Sequence, residues 1–199
     1  MTNFRPISFY SVLYKIISKC LANRLKNHLD CLIFDSQSAF VGGRLIHDNI
    51  IVGFEGIHMM CKGRFGNGNK MALKLDMSKA FDRVEWAFID AVMRKMGFSD
   101  GWVRKIMNCI SSVSFSFILN GEVNEMIIPE RGLRQWNPLS LFLFLFCSEG
   151  FSCLLKKMEA EGRIHELRFG CRNLFVSHLL FADDSFIFLE AKKRKSTRH

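Results

Sequence analysis

SHLLFADDSFIFL, residues 177–189, reads as an apolar strand, a polar turn and a second apolar strand. Roughly a hundred residues earlier, MALKLDM, residues 71–77, alternates apolar and polar side chains as a half-buried strand does, and reaches Asp76 at its end. Acidic residues therefore close two hydrophobic strands. Carboxylates in such places are costly unless they are solvated or bound to cations. The adjacent Asp183 and Asp184 add like-charge repulsion, which a divalent cation relieves. If the two strands are neighbours in one sheet, Asp76, Asp183 and Asp184 meet at one edge and can hold two Mg²⁺ ions roughly 4 Å apart. Plainer readings exist for each residue alone: an acidic hairpin turn for Asp183-Asp184 and a helix-entry cap for Asp76.

Outward from these strands, helices and hairpins alternate. Residues 10–30 show helical spacing, with Leu13, Ile16, Ile17, Cys20, Leu21, Leu25 and Leu29 predicted to form one face. KGRFGNGNK, residues 62–70, is a Gly-rich basic loop, and no P-loop pattern occurs. Ser78 is placed to cap a helix of about 18 residues with Phe81, Val84, Phe88, Val92 and Met96 inward and Gly97 at its end. A second helix is predicted from Asp100 to Ser111, with Trp102, Ile106 and Ile110 at core spacing. Asn120-Gly121 between two apolar runs signals a tight hairpin, because both residues tolerate positive φ. A helix follows Pro138 and reaches Ala160. Mixed helices and hairpin-joined strands place the chain in the α+β class.

The 199 residues, 49% of them hydrophobic, suffice for one core. Lys and Arg number 28 against 19 Asp and Glu, a formal net charge of +9 that favours polyanionic partners. The seven cysteines (Cys20, Cys31, Cys61, Cys109, Cys147, Cys153 and Cys171) show no C-x-x-C pair and no zinc spacing, which predicts free core thiols in a reducing compartment. The start lacks a signal peptide. The most apolar run, Leu139 to Cys147, is too short to span a bilayer and reads as a buried helix segment. A nuclear or cytoplasmic location is expected.

Taken in order, five blocks resemble the reverse transcriptase of non-LTR (LINE-type) retrotransposons, especially plant copies. NFRPIS at 3–8 with LYKIISKCLANRL at 13–25 resembles the family's fingers entry, and QSAFVGGRLIHDNI at 37–50 its next block. MALKLDMSKAFDRVEW at 71–86 resembles the strand carrying the first catalytic Asp. RGLRQWNPLS at 131–140 resembles the nucleotide-contacting loop, and SHLLFADDS at 177–185 the hairpin with the catalytic pair. The resemblance implies a right-hand polymerase palm with partial fingers, an antiparallel palm sheet packed on helices and no thumb. It divides the chain into partial fingers (1–70), palm (71–190) and a basic tail (191–199).

By the same resemblance, Asp76, Asp183 and Asp184 are catalytic carboxylates binding two Mg²⁺ ions, with Mn²⁺ as an alternative. Asp183 is expected to be the firmer ligand of the pair, since neighbours on a strand point to opposite faces. Phe81 matches the aromatic that fills the space of a 2′-hydroxyl, and core packing is its plainer reading. Gln135 matches a residue lining the dNTP pocket. Arg5, Lys15 and Arg44 are candidates for triphosphate or template contacts from the fingers. Asp82 is expected on a helix surface and not at the metals. The partners implied are an RNA template, a DNA primer and dNTP; a membrane is not implied, nor can a protein partner be inferred.

Three departures from the family pattern matter. Trp136 and Asn137 stand where the family has Gly and Asp, and Leu141 stands where it has Pro. A bulky residue at a place needing positive φ adds strain of about 1–3 kcal/mol. The sequence also begins within the fingers and stops soon after Asp184, so a truncated, degenerate copy, inactive alone, is expected. The alternative is a non-catalytic remnant that binds RNA or other nucleic acid through its basic surface. Core faces meant for missing parts, including one side of the 177–189 hairpin, are expected to lie uncovered.

Overall fold

The computed structural model of the chain describes residues 11–62, 69–169 and 174–191. In chain order its elements are α1 (Val12–Lys26), α2 (Leu29–Leu32), α3 (Ile46–Cys61), β1 (Asn69–Asp76), α4 (Trp86–Lys95), α5 (Asp100–Ser111), β2 (Phe115–Leu119), β3 (Glu122–Ile127), α6 (Pro138–Ala160), β4 (Leu167–Phe169), β5 (Leu174–Val176), β6 (His178–Phe181) and β7 (Asp184–Ala191). Helix and antiparallel sheet are mixed, as the α+β reading expects. The chain divides into two units, one of Met1–Ile33 with Ser78–Cys147, the other of Phe34–Met77 with Ser148–His199.

In the first unit, α5 forms where its spacing predicts, with Ile106 and Ile110 buried; Val103 is buried as well, and Trp102 is only half-buried. Gly97 ends α4 with φ 86°, and the N–H of Phe98 returns to the Met93 carbonyl at 3.2 Å. Asn120 and Gly121, at φ 53° and 86°, make the hairpin turn between β2 and β3. Asn137 caps α6: its side-chain oxygen accepts the Leu139 N–H at 2.9 Å, and Pro138 occupies the first helical position.

Two expectations fail in this unit. The single helix from Ser78 is instead a 3-10 turn over Phe81–Arg83 followed by α4. Val84 between them is extended, because its carbonyl accepts the Gly132 N–H at 2.8 Å and Glu85 bridges to Arg131. A long-range bond thus outcompetes helical propensity. Ile89 and Met93 are the buried residues of α4, and Phe88 is exposed. The face of α1 is also corrected. Ser18, Ala22 and Leu25 are buried, whereas Leu13, Ile16, Ile17 and Cys20 are exposed.

In the second unit, the three-stranded antiparallel sheet has the order β1-β7-β6, with β7 central. Side chains at directly opposed positions share a face, so Leu179, Phe181, Phe186 and Phe188 lie together. Val52, Met59 and Met60 of α3 pack with these residues, and Leu167 and Val176 complete the cluster. On the other face, His178 is buried, its ring nitrogens sharing hydrogen bonds with Ser177 Oγ at 2.8 Å and Ser152 Oγ at 3.0 Å. Burial pushes its pKa down to about 4. The outer edge of β6, expected to lie uncovered, is partly covered. The Leu180 N–H donates to Ser36 O at 2.7 Å and the Ser38 N–H to Leu180 O at 3.3 Å.

Apolar surface is exposed elsewhere, on α1 and along Ile46, Ile50, Ile51 and Phe54 of α3. The run Leu139 to Cys147 lies in α6, which at 23 residues is, by length and composition, long and apolar enough to cross a membrane. More than half of its most apolar window is buried, as in a core helix. Among the described cysteines Cys109 is buried, whereas Cys20, Cys31, Cys61 and Cys153 are exposed, so the expected core thiols lie mostly at the surface.

Candidate active site

The β1–β7 ladder runs from Asn69↔Ala191 to Asp76↔Asp184, so its last pair joins two carboxylates. Opposed side chains on an antiparallel pair have β-carbons about 4.5–5.5 Å apart, and like charges there are destabilising. Asp76 is exposed and Asp184 half-buried, which leaves both reachable from solvent. Lys74, one alternation back on the same face, brings Nζ to 3.4 Å from Asp184 Oδ1. Being half-exposed, this ion pair offsets only part of the repulsion.

Asp183 occupies the two-residue turn with Ala182, between the paired Phe181 and Asp184. Its carbonyl accepts the Met77 N–H at 3.3 Å, which ties the end of β1 to the turn. The register therefore sets Asp184, and not Asp183, directly opposite Asp76. Because Asp183 lies in the turn and not on a strand, strand alternation does not set the direction of its side chain. Ala182 holds φ 57°, a left-handed conformation.

The residue types suit a hard divalent cation: Asp76 and Asp184 are register partners, with Asp183 next in the turn. As the side chains stand, no group of three acidic, His or Cys ligands is in metal-holding arrangement among the described residues.

The loop motif lies in the other unit. Gly132, at φ 91°, lies so close to the 3-10 turn that a β-carbon would come 3.0 Å from the Asp82 carbonyl oxygen. The Leu133 N–H reaches Phe81 O at 2.8 Å, and Trp86 Nε1 donates to Gly132 O at 2.8 Å. Gln135 Nε2 donates to Asp82 Oδ1 at 3.4 Å, which brings these two motif residues together. The Phe81 ring stacks on Phe144, centroids 4.6 Å apart, so core contact accounts for part of its surface. The Arg134 guanidinium lies over the rings of Tyr14 and Phe115, at 4.9 and 5.3 Å. Burial raises the Tyr14 phenol well above its ordinary value. Trp136 adopts φ 64° with its side chain 82% exposed. The strain expected from a bulky residue in place of Gly is therefore present, and the ring is turned to solvent.

Of the basic candidates, Lys15 is exposed on the first turn of α1. Arg44 is tied into its own loop: Nη1 donates to Phe34 O at 2.6 Å and Gln37 O at 2.9 Å, and Nη2 lies 3.5 Å from Asp35. Arg5 lies outside the described residues. The sequence reading missed Lys74 and Gln37. The first was legible as a residue two positions before Asp76 on the same strand face. The second is buried and accepts the Ala182 N–H at 3.3 Å, a contact across 145 positions that no local pattern signals.

Comparisons with known proteins agree with the motif order. The whole chain, residues 1–199, matches the family described as reverse transcriptase (RNA-dependent DNA polymerase). Among curated relatives, the Transposon TX1 uncharacterized 149 kDa protein of Xenopus laevis is 33% identical over 156 residues, 78% of this chain and 12% of the relative. The retrovirus-related Pol polyprotein from the type-2 retrotransposable element R2DM of Drosophila melanogaster is 28% identical over 96% of this chain and 17% of the relative. The chain thus spans less than a fifth of either protein's length. Telomerase from Candida albicans, solved with a fragment of telomeric RNA, shares the fold with a TM-score of 0.56 at 13% identity, over 89% of this chain and 30% of that one. The chain belongs to the reverse transcriptase family, and its relatives are non-LTR retrotransposon polyproteins.

Proposed function

We propose that this chain is the polymerase portion of a retroelement in which the acidic end of the β1–β7 ladder serves two-metal nucleotidyl transfer from dNTP to a primer 3′-end on an RNA template. The supporting observation is the opposition of Asp76 and Asp184, with Asp183 in the adjoining turn. These three carboxylates would hold the Mg²⁺ ions, or Mn²⁺ in their place. Bound divalent ions lower the pKa of an attacking hydroxyl and stabilise charge on a leaving phosphate. Lys74 supplies a counter-charge to Asp184. Phe81 is assigned to exclusion of the 2′-hydroxyl and Gln135 to the dNTP, both from motif position. Lys15, Arg44 and Arg5 are assigned weaker phosphate or template contacts. Residues 1–70 are read as fingers, 71–190 as palm and 191–199 as a basic tail, in a protein of the nucleus or cytoplasm.

The copy is read as degenerate at its nucleotide loop. Trp136 replaces the Gly that a left-handed position favours, and its exposed ring lies beside Gln135 in sequence. A second reading, nucleic-acid binding without catalysis, draws on the same Trp136 and on the net charge of +9. Primer extension separates the two. The polymerase reading expects Mg²⁺-dependent incorporation of dNTP that Asp76→Asn and Asp184→Asn abolish and Trp136→Gly raises. RNA binding that weakens with salt and ignores both Asp changes, with no extension even from the Trp136→Gly variant, would assign the second reading.

A further inference from the structure

Gln37 has no part in the chemistry described so far, yet its environment is unusual. The side chain is fully buried, at 0% exposure. Its Oε1 accepts two backbone N–H groups, Ala39 at 3.0 Å and Ala182 at 3.3 Å. Both partners are donors, so the atom facing them must be the amide oxygen. The first bond closes its own loop. The second reaches the residue immediately before Asp183.

The loop that carries Gln37 is itself held from several sides. The Phe34 N–H donates to Glu149 Oε2 at 3.1 Å, Asn49 Nδ2 to Ser36 O at 3.0 Å, and Arg44 Nη1 to the carbonyls of Phe34 and Gln37. Gln37 forms a parallel bridge with Leu180, flanked by the bonds of Ser36 and Ser38 to that residue. The amide oxygen therefore approaches the turn from a fixed base.

The turn needs such a hold. Ala182 sits at φ 57°, which L-residues other than glycine adopt only at a cost, and such conformations persist where surrounding bonds over-determine them. If Ala182 relaxes to right-handed φ, the two-residue connection between Phe181 and Asp184 changes shape. The opposition of Asp184 to Asp76 then shifts with it. Glutamine suits this place because it accepts a hydrogen bond without adding a third negative charge behind two aspartates.

We propose that Gln37 is a positioning residue of the polymerase centre: its side-chain oxygen holds Ala182 in the left-handed turn and so sets where Asp183 and Asp184 present their carboxylates. The proposal rests on the metal-carboxylate reading above. Outer hydrogen bonds of this kind tune metal affinity by roughly 10- to 100-fold where they orient ligands.

The test uses the full chain with Mn²⁺ as probe, read by water-proton relaxation, together with hydrogen exchange at individual amides. Gln37→Met keeps length and burial but removes the acceptor. It is expected to weaken Mn²⁺ binding roughly tenfold and to speed exchange of the Ala182 amide about tenfold, while β7 amides beyond Ile187 keep their protection. Gln37→Glu keeps an acceptor oxygen and is expected to retain the Ala182 protection. Unchanged Mn²⁺ binding and unchanged Ala182 exchange in Gln37→Met overturn the proposal, and so does a uniform loss of protection along β7, which would mark a packing role only. If Gln37→Met does not fold, Gln37→Asn, which withdraws the oxygen by one methylene, is read by the same criteria. A wild-type chain that binds no Mn²⁺ overturns the metal reading instead, and the exchange at Ala182 alone then decides whether the latch exists.

Discussion

The β1–β7–β6 sheet and the loop Arg131–Asn137 both carry motif residues, but their conformations are secured differently. In the sheet, backbone, side-chain alternation and hydrogen bonding agree. Phe186 and Phe188 face the α3 side while Asp76 and Asp184 close the ladder, and the one left-handed residue, Ala182, has its N–H bonded to Gln37. In the loop, Gly132 and Asn137 fulfil local demands that only a few residue types meet, whereas Trp136 occupies a left-handed position and is largely exposed. The difference teaches that substitutions fall unequally on a site. The ladder end is held by the packing of the whole sheet, whereas in the loop Gly132 and Asn137 have structural duties of their own and Trp136 sits in a strained backbone position.

The sharpest way to break this contrast is to attack the packing beneath the acidic ladder. Phe188 is fully buried in the sheet cluster, and Phe188→Ala is expected to cost about 3–5 kcal/mol in denaturant unfolding. A loss below about 1 kcal/mol would show that the sheet is not the better-supported region.

Acid sharpens the comparison next. His178 is held neutral by burial, its pKa about 4 against an ordinary value of 6.5. The unfolded chain therefore takes up this proton first as the pH falls. The stability due to His178 is fully present above about pH 6.5 and is lost progressively toward pH 4, about 3 kcal/mol in all. Urea midpoints measured between pH 7.5 and 4 should show this decline, and His178→Gln should flatten it. An identical slope in that variant would place the acid sensitivity elsewhere.

The smallest effect belongs to the loop. Left-handed φ costs a non-glycine residue about 1–2 kcal/mol, and glycine returns about 0.5–1 kcal/mol of that through greater freedom when unfolded. Trp136→Gly should therefore stabilise the chain by up to about 1 kcal/mol, a rise in Tm of roughly 2–4 °C by calorimetry. A fall in Tm would mean that the indole makes contacts worth more than the strain.

These contrasts also mark what the sequence discloses. The Asn120-Gly121 hairpin, α5 and the stop at Gly97 rest on neighbours a few positions apart, so spacing and turn chemistry reveal them. The opposition of Asp76 to Asp184 follows from two strands that each looked like strands. Its register does not, because the turn takes Asp183 out of the ladder. The break before α4 depends on a bond from Gly132 to Val84, and the buried stripe of α1 on which residues its distant neighbours cover. The contact of Gln37 with Ala182 appears only once Leu180 lies beside it. Local chemistry was legible, and arrangements chosen by distant partners were not.

The central place of β7 has one more consequence. Outer strands of a sheet fray first, since each is hydrogen-bonded to a neighbouring strand on one side only. Asp184 begins the strand flanked on both sides, while Asp76 ends one that, among the described residues, pairs only with β7. When the sheet breathes, β1 should peel away and carry Asp76 with it, leaving the 182–184 corner intact. The two carboxylates then part through movement of the earlier strand, so any ligand that bridges them would act as a clasp on β1.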